Sequence, residues 1–200
     1  MRLFDYINES SFKDFDKLKK DCQPFIKELN SPEDFIYSGR RTTDTYIKKK
    51  VRKDRKPLDT PISIHNTLND FFKKKFGHKL RSESLFVTKD PKLTQDFGYR
   101  YIILPVGKYS LYVNKDITDL TWYLSKYLIN AYEIELAEFD SNDIDVIEGK
   151  LDWIVDGYKK VKMNQLDTGN ETMLLTDEYY GIRCLTKTSK QDIFDELKGL

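Results

Sequence analysis

Cysteine and histidine are both scarce in this chain of 200 residues. Its two cysteines, Cys22 and Cys184, lie in segments with an apolar pattern. This pattern predicts buried, reduced thiols in an intracellular protein rather than a disulfide framework. The two histidines, His65 and His78, are too few for a cluster of histidine and cysteine metal ligands. The sequence therefore predicts no metal site, and we interpret His65 as structural because no catalytic Cys, Ser or Asp group can be assigned to it.

Long apolar runs are also missing. No stretch approaches the roughly 20 apolar residues that a transmembrane helix needs, and residues 1–5 do not resemble the start of a signal peptide. The formal net charge is only +1, so the chain as a whole has no electrostatic preference for nucleic acid or membranes. Hydrophobic residues make up 39% and charged residues 34% of the sequence. These proportions predict a globular cytoplasmic protein rather than a disordered one.

Helices are predicted where apolar residues recur every three or four positions. Pro24 can divide the first of these helices, and Gly77 can end the second, as glycine often does. A Thr or Ser just before the last helix can cap its first turn. The predicted helices cover residues 11–29, 61–76, 91–97, 116–132, a segment after Ser141, and 186–200.

Strands are predicted from runs of β-branched and aromatic residues that are bounded by turns. The run over residues 99–105 is strongly apolar and predicts a central strand. The run over residues 45–52 is rich in lysine, which is typical of an exposed edge strand. Residues 169–175 and 179–185 are predicted to pair as a hairpin across the turn at 176–178. Further strands are predicted over residues 35–40, 80–88 and 109–113.

The order of these elements favours the α+β class. We expect split, mainly antiparallel sheets with flanking helices. No internal repeat and no low-complexity linker divides the chain, so one domain over residues 1–200 is expected. Within it, an N-terminal helical segment (1–34) and a C-terminal helix (186–200) flank a core over residues 35–185.

Glu171 stands where a polar turn meets a short apolar strand. A carboxylate at the start of a buried strand is held rigidly, and burial readily shifts its pKa. Such a group can hold or polarise a hydroxyl of a ligand. The alternative is an ordinary hairpin whose first strand begins with an exposed Glu.

Arg40 shares one face of its predicted strand with Ile36 and Ser38, because side chains alternate along a strand. The planar fork of a guanidinium matches a phosphate or a carboxylate. Arg40 is therefore a candidate for an anion site. The alternative is that it lies near the strand end and reaches solvent.

The charges are unevenly distributed. Residues 40–56 hold nine Lys or Arg against two Asp, a local net charge of +7. This stretch predicts a surface for nucleic acid or an acidic partner. The alternatives are a solvated face or mutual neutralisation with residues 132–156, where the local net charge is −8. The candidate contact residues are Lys48, Lys49, Lys50, Arg52, Lys53, Arg55 and Lys56.

Three segments carry a resemblance to a known family. Residues 35–40 read Phe-Ile-Tyr-Ser-Gly-Arg, residues 82–88 read Ser-Glu-Ser-Leu-Phe-Val-Thr, and residues 169–175 read Gly-Asn-Glu-Thr-Met-Leu-Leu. In this order they resemble the small ADP-ribosyltransferases that carry an aromatic-Arg-Gly strand, a Ser-Thr-Ser strand and a Glu-x-Glu strand. Residues 76–107 also resemble uncharacterised bacteriophage proteins with this fold. The resemblance spans about residues 35–185 in outline.

The resemblance implies a split antiparallel sheet that forms a cleft for NAD. The Arg would bind the phosphate or ribose side of NAD, and the Ser strand would hold the nicotinamide ribose region. Glu171 would be catalytic, because it would stabilise the positive charge that develops on the ribose as nicotinamide leaves. The acceptor would be a host protein or nucleic acid in the host cytoplasm if the protein is encoded by a phage. The implied NAD-binding residues are Tyr37, Ser38, Arg40, Arg81, Ser82, Ser84 and Thr88.

Two positions depart from the family pattern. Ser38 stands where the Arg is expected, and Arg40 follows on the same strand face about 7 Å further along. Gly169 stands where the first Glu is expected, which points away from modification of protein arginines and toward another acceptor, slow NAD hydrolysis or no catalysis. Glu133 and Glu135 form a literal Glu-x-Glu, but no apolar hairpin follows them, so we interpret them as solvated.

These observations lead to two hypotheses from different classes. The first is an NAD-dependent mono-ADP-ribosyltransferase. The second is a non-catalytic binding protein on the same scaffold, which contacts nucleic acid or an acidic protein through residues 40–56.

Overall fold

A computed structural model of the chain describes residues 12–184 and 190–199. Within these ranges, seven α-helices and eight strands are separated by short connections and five 3₁₀ turns. The α-helices are α1 (Phe12–Asp21), α2 (Gln23–Glu28), α3 (Ile62–Phe76), α4 (Leu80–Glu83), α5 (Leu120–Tyr132), α6 (Ile144–Gly157) and α7 (Lys190–Lys198). The strands are β1 (Tyr37–Arg40), β2 (Tyr46–Lys50), β3 (Leu85–Val87), β4 (Tyr99–Pro105), β5 (Ser110–Val113), β6 (Lys159–Val161), β7 (Thr172–Leu175) and β8 (Glu178–Arg183). The 3₁₀ turns are Pro32–Asp34, Pro91–Phe97, Leu136–Glu138, Ser141–Asp143 and Met163–Gln165.

The strands form two antiparallel sheets of four strands each. The first sheet has the order β1-β4-β8-β2 and the second the order β3-β7-β5-β6. All described pairings within both sheets are antiparallel. An isolated bridge between Tyr37 and Thr88 connects β1 to the end of β3. The chain is therefore an α+β protein whose two sheets meet along one edge.

Side-chain alternation along the strands divides the buried apolar residues into two clusters. On β7, Leu174 belongs to the first cluster and its neighbour Met173 to the second. The first cluster joins α1, α2 and α7 to the first sheet and to one face of the second. The second cluster packs α3, α5 and α6 on the other face of the second sheet. The first cluster includes Leu18, Phe25, Phe35, Ile102, Leu104 and Phe194, and the second includes Leu68, Phe72, Tyr112, Leu124, Leu151 and Ile154.

Several predictions from local patterns are confirmed. The apolar run over residues 99–105 is β4, and it lies inside the first sheet between β1 and β8. The lysine-rich strand β2 lies at the edge of the same sheet. The helical pattern over residues 11–29 is divided into α1 and α2 next to Pro24, and Gly77 ends α3 with a left-handed φ of 78°. These features depend on local sequence, so the local pattern is sufficient to predict them.

The predicted hairpin is wrong. Its two strands exist as β7 and β8, but β7 pairs with β3 and β5, whereas β8 pairs with β4 and β2. Residues 176 and 177 carry the chain from one sheet to the other. Both strands are buried between partners from elsewhere in the chain, and this burial outweighs the short separation that suggested a hairpin.

The strand predicted over residues 80–88 is wrong in its first half. Residues 80–83 form the short helix α4, and only Leu85–Val87 is a strand. The strand β6 was not predicted, because two of its three residues are exposed lysines. Residues 1–11 and 185–189, which hold the predicted start of the first helix and the predicted cap of the last, lie outside the described residues.

Candidate functional site

The three segments that suggested a cleft come together where the two sheets meet. The Tyr37 N–H donates to Thr88 O at 2.8 Å, and the Thr88 N–H donates back to Tyr37 O at 3.0 Å. Next to this bridge, Ser38 Oγ donates to the Phe86 carbonyl at 2.9 Å. On its other side, β3 pairs with β7, with Val87 opposite Thr172. The residue that precedes β7, Glu171, therefore lies beside the junction.

The backbone around Glu171 is held by the loop that precedes α5. The Glu171 N–H donates to Thr118 O at 2.8 Å. The preceding side chain is also fixed, because Asn170 Nδ2 donates to Asn114 O at 3.1 Å and to Lys115 O at 3.0 Å. A carboxylate anchored on both the strand and the loop keeps its position without help from a ligand.

Arg81 and Glu171 form an ion pair at this position. Arg81 Nη1 lies 3.7 Å from Glu171 Oε1, with side-chain exposures of 5% and 20% respectively. A second contact runs from Arg81 Nη2, which donates to Thr60 Oγ1 at 3.4 Å. Arg81 Nε and Glu171 Oε1 are buried without a hydrogen-bond partner among the described residues. Because both groups keep unused hydrogen-bonding capacity, the pair can still accept a ligand.

Opposing charges act on Glu171. Burial raises the pKa of its carboxyl above the ordinary value, and it outweighs the lowering by Arg81. The N-cap carboxylate of α5, Asp119, raises the pKa further, whereas Arg55 lowers it. Burial makes ionisation of the Glu171 carboxyl unfavourable. A buried carboxylate of this kind is more typical of a functional site than of an ion pair that stabilises the fold.

Arg55 lies inside the site rather than on a basic surface. Its guanidinium carbon is 3.6 Å from the centre of the Phe86 ring, and the guanidinium carbon of Arg81 is 5.2 Å from the same centre. The pKa of Arg55 is lowered to about 10, mainly by burial and also by Arg81 and Arg40, while Glu171 opposes the shift. Arg55 is thus within electrostatic reach of Arg40, Arg81 and Glu171. From the sequence, Arg55 was predicted only as part of a surface that binds nucleic acid or an acidic partner.

Arg40 supplies a third guanidinium. It lies 5.2 Å from the centre of the Tyr179 ring, and burial lowers its pKa. Its Nε and Nη2 are buried and find no partner among the described residues. Burying a guanidinium whose N–H donors lack a hydrogen-bond partner costs free energy. An anion would satisfy these donors.

The positive charges of the site outnumber the negative ones. Arg40, Arg81 and Glu171 all lie within electrostatic reach of Arg55, and the Asp119 carboxylate acts on Glu171. Arg40 and Arg81 keep buried N–H donors without a partner among the described residues, and guanidinium donors match the geometry of phosphate oxygens. The half-buried ring of Phe86 lies beside Arg55 and Arg81. The arrangement is therefore suited to an anionic ligand that also carries a planar group.

Three of the hydroxyls assigned to NAD binding, those of Ser38, Ser84 and Thr88, have partners within the chain, whereas the Tyr37 OH is buried without one among the described residues. Ser84 Oγ donates to Leu80 O at 2.6 Å, and Thr88 Oγ1 accepts from the Asp90 N–H at 3.1 Å. Ser38 is bonded to Phe86, as described above. These three hydroxyls hold the backbone around the site. Tyr37 occupies the opposite strand face, where Lys190 Nζ lies 5.7 Å from its ring centre.

Ser82 belongs to a buried polar cluster with His65 and Asn69. The three side chains are within hydrogen-bonding distance of one another. The pKa of His65 is lowered to about 4, mainly by burial and also by Arg81 and Arg55. The structural interpretation of His65 is consistent with these contacts, but the cluster is adjacent to the site.

Sequence reasoning missed five residues of this neighbourhood. Asn69 follows His65 by four positions on the buried face of α3. This spacing places the two side chains next to each other, so the polar pair could have been predicted from the sequence. Thr60 was predicted only as the cap of the helix that begins near Pro61, but its hydroxyl accepts from Arg81 instead. Phe86 had no distinguishing local pattern. From the sequence, Asp119 could be predicted only as the N-cap of a helix. The residues that the structure adds are Arg55 as a member of the site, Thr60, Asn69, Phe86 and Asp119.

The rest of the basic stretch faces solvent, and its charges are partly paired. Lys48 Nζ lies 3.1 Å from Asp21 and 3.6 Å from Glu178. Exposed pairs also join Lys53 to Asp177 at 3.0 Å and Arg52 to Asp54 at 3.4 Å. All of these acids lie outside residues 132–156. The described ion pairs therefore do not join the basic stretch to that acidic zone. Lys49, Lys50 and Lys56 are exposed.

The remaining expectations concern exposed acids, thiols, metals and membranes. Glu133 and Glu135 are exposed, which confirms their interpretation as solvated residues. Both cysteines are free; Cys22 is buried, but Cys184 is only partly buried. Over residues 12–184 and 190–199, no cluster of His, Cys, Asp or Glu has the arrangement of a metal site. No helix in the same ranges has both the length and the apolar character that crossing a bilayer requires.

Comparisons with protein-family models, curated proteins and solved structures found no match to this chain. The chemistry of the site therefore has to be argued from its own residues.

Proposed function

We propose that this protein binds NAD at the junction of its two sheets and transfers ADP-ribose to a macromolecular acceptor. The observation that carries the proposal is the cluster in which Arg55 lies within electrostatic reach of Arg40, Arg81 and Glu171, beside the bridge between β1 and β3. For a protein encoded by a phage, the acceptor would be a host protein or nucleic acid in the host cytoplasm.

The charges suggest how the site would hold NAD. The pyrophosphate of NAD is anionic, and three guanidiniums outnumber the carboxylates of Glu171 and Asp119. Arg40 would donate to the pyrophosphate oxygens through its unpartnered N–H groups, and Arg55 would contact the same group. Phe86 would give the nicotinamide ribose region an apolar surface.

Glu171 would act on the reacting sugar. In the transfer, the bond between the ribose and nicotinamide breaks, and its electron pair leaves with nicotinamide. Positive charge then develops on the ribose, and a fixed carboxylate stabilises this transition state more than the ground state. The acceptor forms the new bond to the same ribose carbon and releases its proton. Arg81 would keep Glu171 in place and oppose the rise of its pKa.

The turn before β7 limits the choice of acceptor. Gly169 has a φ of 94° and no side chain, so a second carboxylate is missing two positions before Glu171. An acceptor that needs deprotonation by such a group is therefore disfavoured. The proposal favours an acceptor that is already nucleophilic, with water as a slow substitute.

The test is NAD binding by calorimetry, followed on the same sample by a measurement of released nicotinamide. We expect Arg40→Ala to weaken binding by about tenfold or more, the value of one charge-assisted hydrogen bond. Lys49→Ala is the matched control, because it removes a positive charge from the same stretch at an exposed position. It should leave the affinity unchanged.

Absence of binding at millimolar NAD would overturn the proposal. The function would then be sought in the second hypothesis, a non-catalytic protein that binds nucleic acid or an acidic protein through residues 40–56. Binding of nucleic acid through that stretch would weaken steeply with salt, because counterions are released.

A further inference from the structure

We infer that Ser82, supported by Asn69 and His65, is a positioning residue that holds Arg55 toward the phosphate groups of the ligand. The inference rests on the proposed function, since it assigns Arg55 a contact with the pyrophosphate of NAD. It gives the buried polar cluster a role that local packing alone does not require.

Arg55 lies in the irregular segment between β2 and α3. Its backbone is fixed to Ser82 in both directions. The Arg55 N–H donates to Ser82 O at 3.4 Å, and Ser82 Oγ donates to Arg55 O at 3.3 Å. These two hydrogen bonds attach the irregular segment to α4, directly beside the position from which the Arg55 side chain reaches the Phe86 ring.

Asn69, on α3, orients the Ser82 hydroxyl through two hydrogen bonds to Ser82. Asn69 Nδ2 donates to Ser82 Oγ at 2.8 Å, and Asn69 Oδ1 accepts from the Ser82 N–H at 3.3 Å. The second bond fixes which way the amide points. Since Asn69 Nδ2 occupies one acceptor position on Ser82 Oγ, the hydroxyl hydrogen is directed toward the side that holds Arg55 O at 3.3 Å and His65 Nε2 at 3.0 Å.

His65 completes the cluster in its neutral form. Asn69 Nδ2 lies 3.0 Å from His65 Nε2, and an amide nitrogen can only donate, so Nε2 accepts and the ring proton is assigned to Nδ1. A charged imidazole would lose this bond and would add a positive charge beside Arg55 and Arg81. Burial and these two arginines keep the ring neutral.

The cluster is needed because Arg55 is repelled where it lies. Arg81, Arg40 and Arg52 are like charges within electrostatic reach, and they are opposed by Glu171 and by the Phe86 ring beneath the guanidinium. Without a backbone anchor, a long side chain on an irregular segment would move toward solvent when no anion is bound. The anchor reduces the conformational entropy that ligand binding has to remove. Ser82 would therefore affect ligand affinity only through Arg55.

The test is a double-mutant cycle with Ser82→Ala, Arg55→Ala and the double variant, with inorganic pyrophosphate and NAD as separate probes in calorimetry. We expect Ser82→Ala to weaken binding of both probes by about fivefold, the value of one hydrogen bond. In the Arg55→Ala background the same change should have no further effect. Ser82→Thr keeps the hydroxyl and should restore the affinity.

Ser63→Ala is the matched control. Ser63 is partly buried on α3, the helix that carries His65 and Asn69, and no described hydrogen bond involves its hydroxyl, so pyrophosphate affinity should not change. A Ser82→Ala effect of the same size with and without Arg55 would overturn the inference and make Ser82 a purely structural residue.

The two proposals fail in different ways. Binding of pyrophosphate with a coupled cycle, but no binding of NAD, would overturn the proposed function and leave the positioning role intact. Binding of NAD with nicotinamide release, but an additive cycle, would leave the proposed function intact and overturn the positioning role. Failure of the wild type to bind either probe would overturn both.

Discussion

The guanidinium of Arg81 and the carboxylate of Glu171 lie 3.7 Å apart and share no hydrogen bond between their nearest atoms. A buried ion pair normally needs close hydrogen bonds to offset the loss of hydration. This pair lacks them, so its geometry is not optimised for stability. The separation instead leaves a carboxylate oxygen and guanidinium N–H groups open toward a ligand.

Replacing Glu171 with Gln should abolish catalysis but retain binding. The amide keeps the shape of the side chain, but it cannot offset the positive charge that develops on the ribose. We expect nicotinamide release to fall by about 10²–10³-fold, the cost of removing one electrostatic contact to a transition state. NAD affinity, measured by calorimetry, should change by no more than a few fold.

The control for this variant is Glu135→Gln. Glu135 belongs to the literal Glu-x-Glu of the sequence and is exposed, so its replacement should leave the rate unchanged. Full activity in Glu171→Gln would remove Glu171 from the mechanism, and an equal loss in Glu135→Gln would show that the loss is not specific to Glu171.

The pH dependence of nicotinamide release should follow the raised pKa of Glu171. Because the ionised carboxylate is the active form, kcat/KM should fall as the pH falls through that pKa, above the ordinary range of a glutamate. Arg55→Gln removes a charge that lowers the pKa and should move this acid limb to higher pH. Asp119→Asn removes a charge that raises it and should move the limb to lower pH, while Asn still caps α5.

Lys49→Gln removes one positive charge far from Glu171 and is the control for the pH profiles. Its acid limb should coincide with that of the wild type. Shifts in the same direction for Arg55→Gln and Asp119→Asn would show that another group controls the limb.

Asp34 should stabilise the fold at neutral pH. Burial alone would raise the pKa of Asp34, but the Asn30 N–H, Lys89 and the Ser31 N–H bind the carboxylate and lower the pKa overall. The Lys89 ion pair is 3.1 Å long, with exposures of 12% and 15%. Asp34→Asn should therefore lower the free energy of unfolding by about 1 kcal/mol at pH 7.

The sign of the pH effect follows from the lowered pKa. The stabilisation by Asp34 is present above the pKa of an unfolded aspartate and is lost as the pH falls through the folded pKa. Urea titrations at pH 7 and near pH 3 should show the difference between wild type and Asp34→Asn narrowing. Asp54→Asn, at an 85% exposed side chain, should change stability by less than about 0.5 kcal/mol at either pH.

Gly39 should not tolerate a side chain. A Cβ there would lie 2.6 Å from both Phe97 Cβ and Thr94 O, so β1 and the 3₁₀ turn over it would have to separate. Gly39→Ala should destabilise the protein by about 1–3 kcal/mol and, because it displaces the neighbouring Arg40, should also weaken NAD binding. Thermal and urea unfolding together with calorimetry would measure both effects.

Gly149 provides the opposite case. It lies in α6, and a Cβ would meet nothing within 4 Å. Gly149→Ala should stabilise the protein by up to about 1 kcal/mol. Equal destabilisation by the two substitutions would show that the contact with Phe97 does not determine the cost at Gly39.

The strand β4 could be predicted to the residue because its signal is local. Seven consecutive residues favour a strand, and Gly98 and the turn after Val106 bound them. The pairing of β7 and β8 could not be predicted in this way. A short polar turn between two strands is the same signal for a hairpin as for a connection between sheets, and only the distant partners β3 and β4 decide between them.

The residues of the site also differ in whether local sequence could predict them. Glu171 and Arg40 could be proposed from strand position and alternation, and the structure brings their segments together at the junction. Arg55 lies in an irregular segment, where no periodicity indicates the direction of a side chain. Its place over the Phe86 ring depends on hydrogen bonds to Ser82, a residue from another part of the chain. The residues of α4 were misassigned because four residues are too few to carry a helical period.

The position of β8 inside the first sheet has a consequence for biosynthesis. β8 separates β4 from β2, and it is the last strand of the described chain to leave the ribosome. Until then β2 has no partner, and β4 has only β1. The lysines of β2 would keep this unpaired strand from associating with other nascent chains. A chain that stops before residue 178 would therefore lack the first sheet as a unit, and its basic stretch would be exposed to proteases.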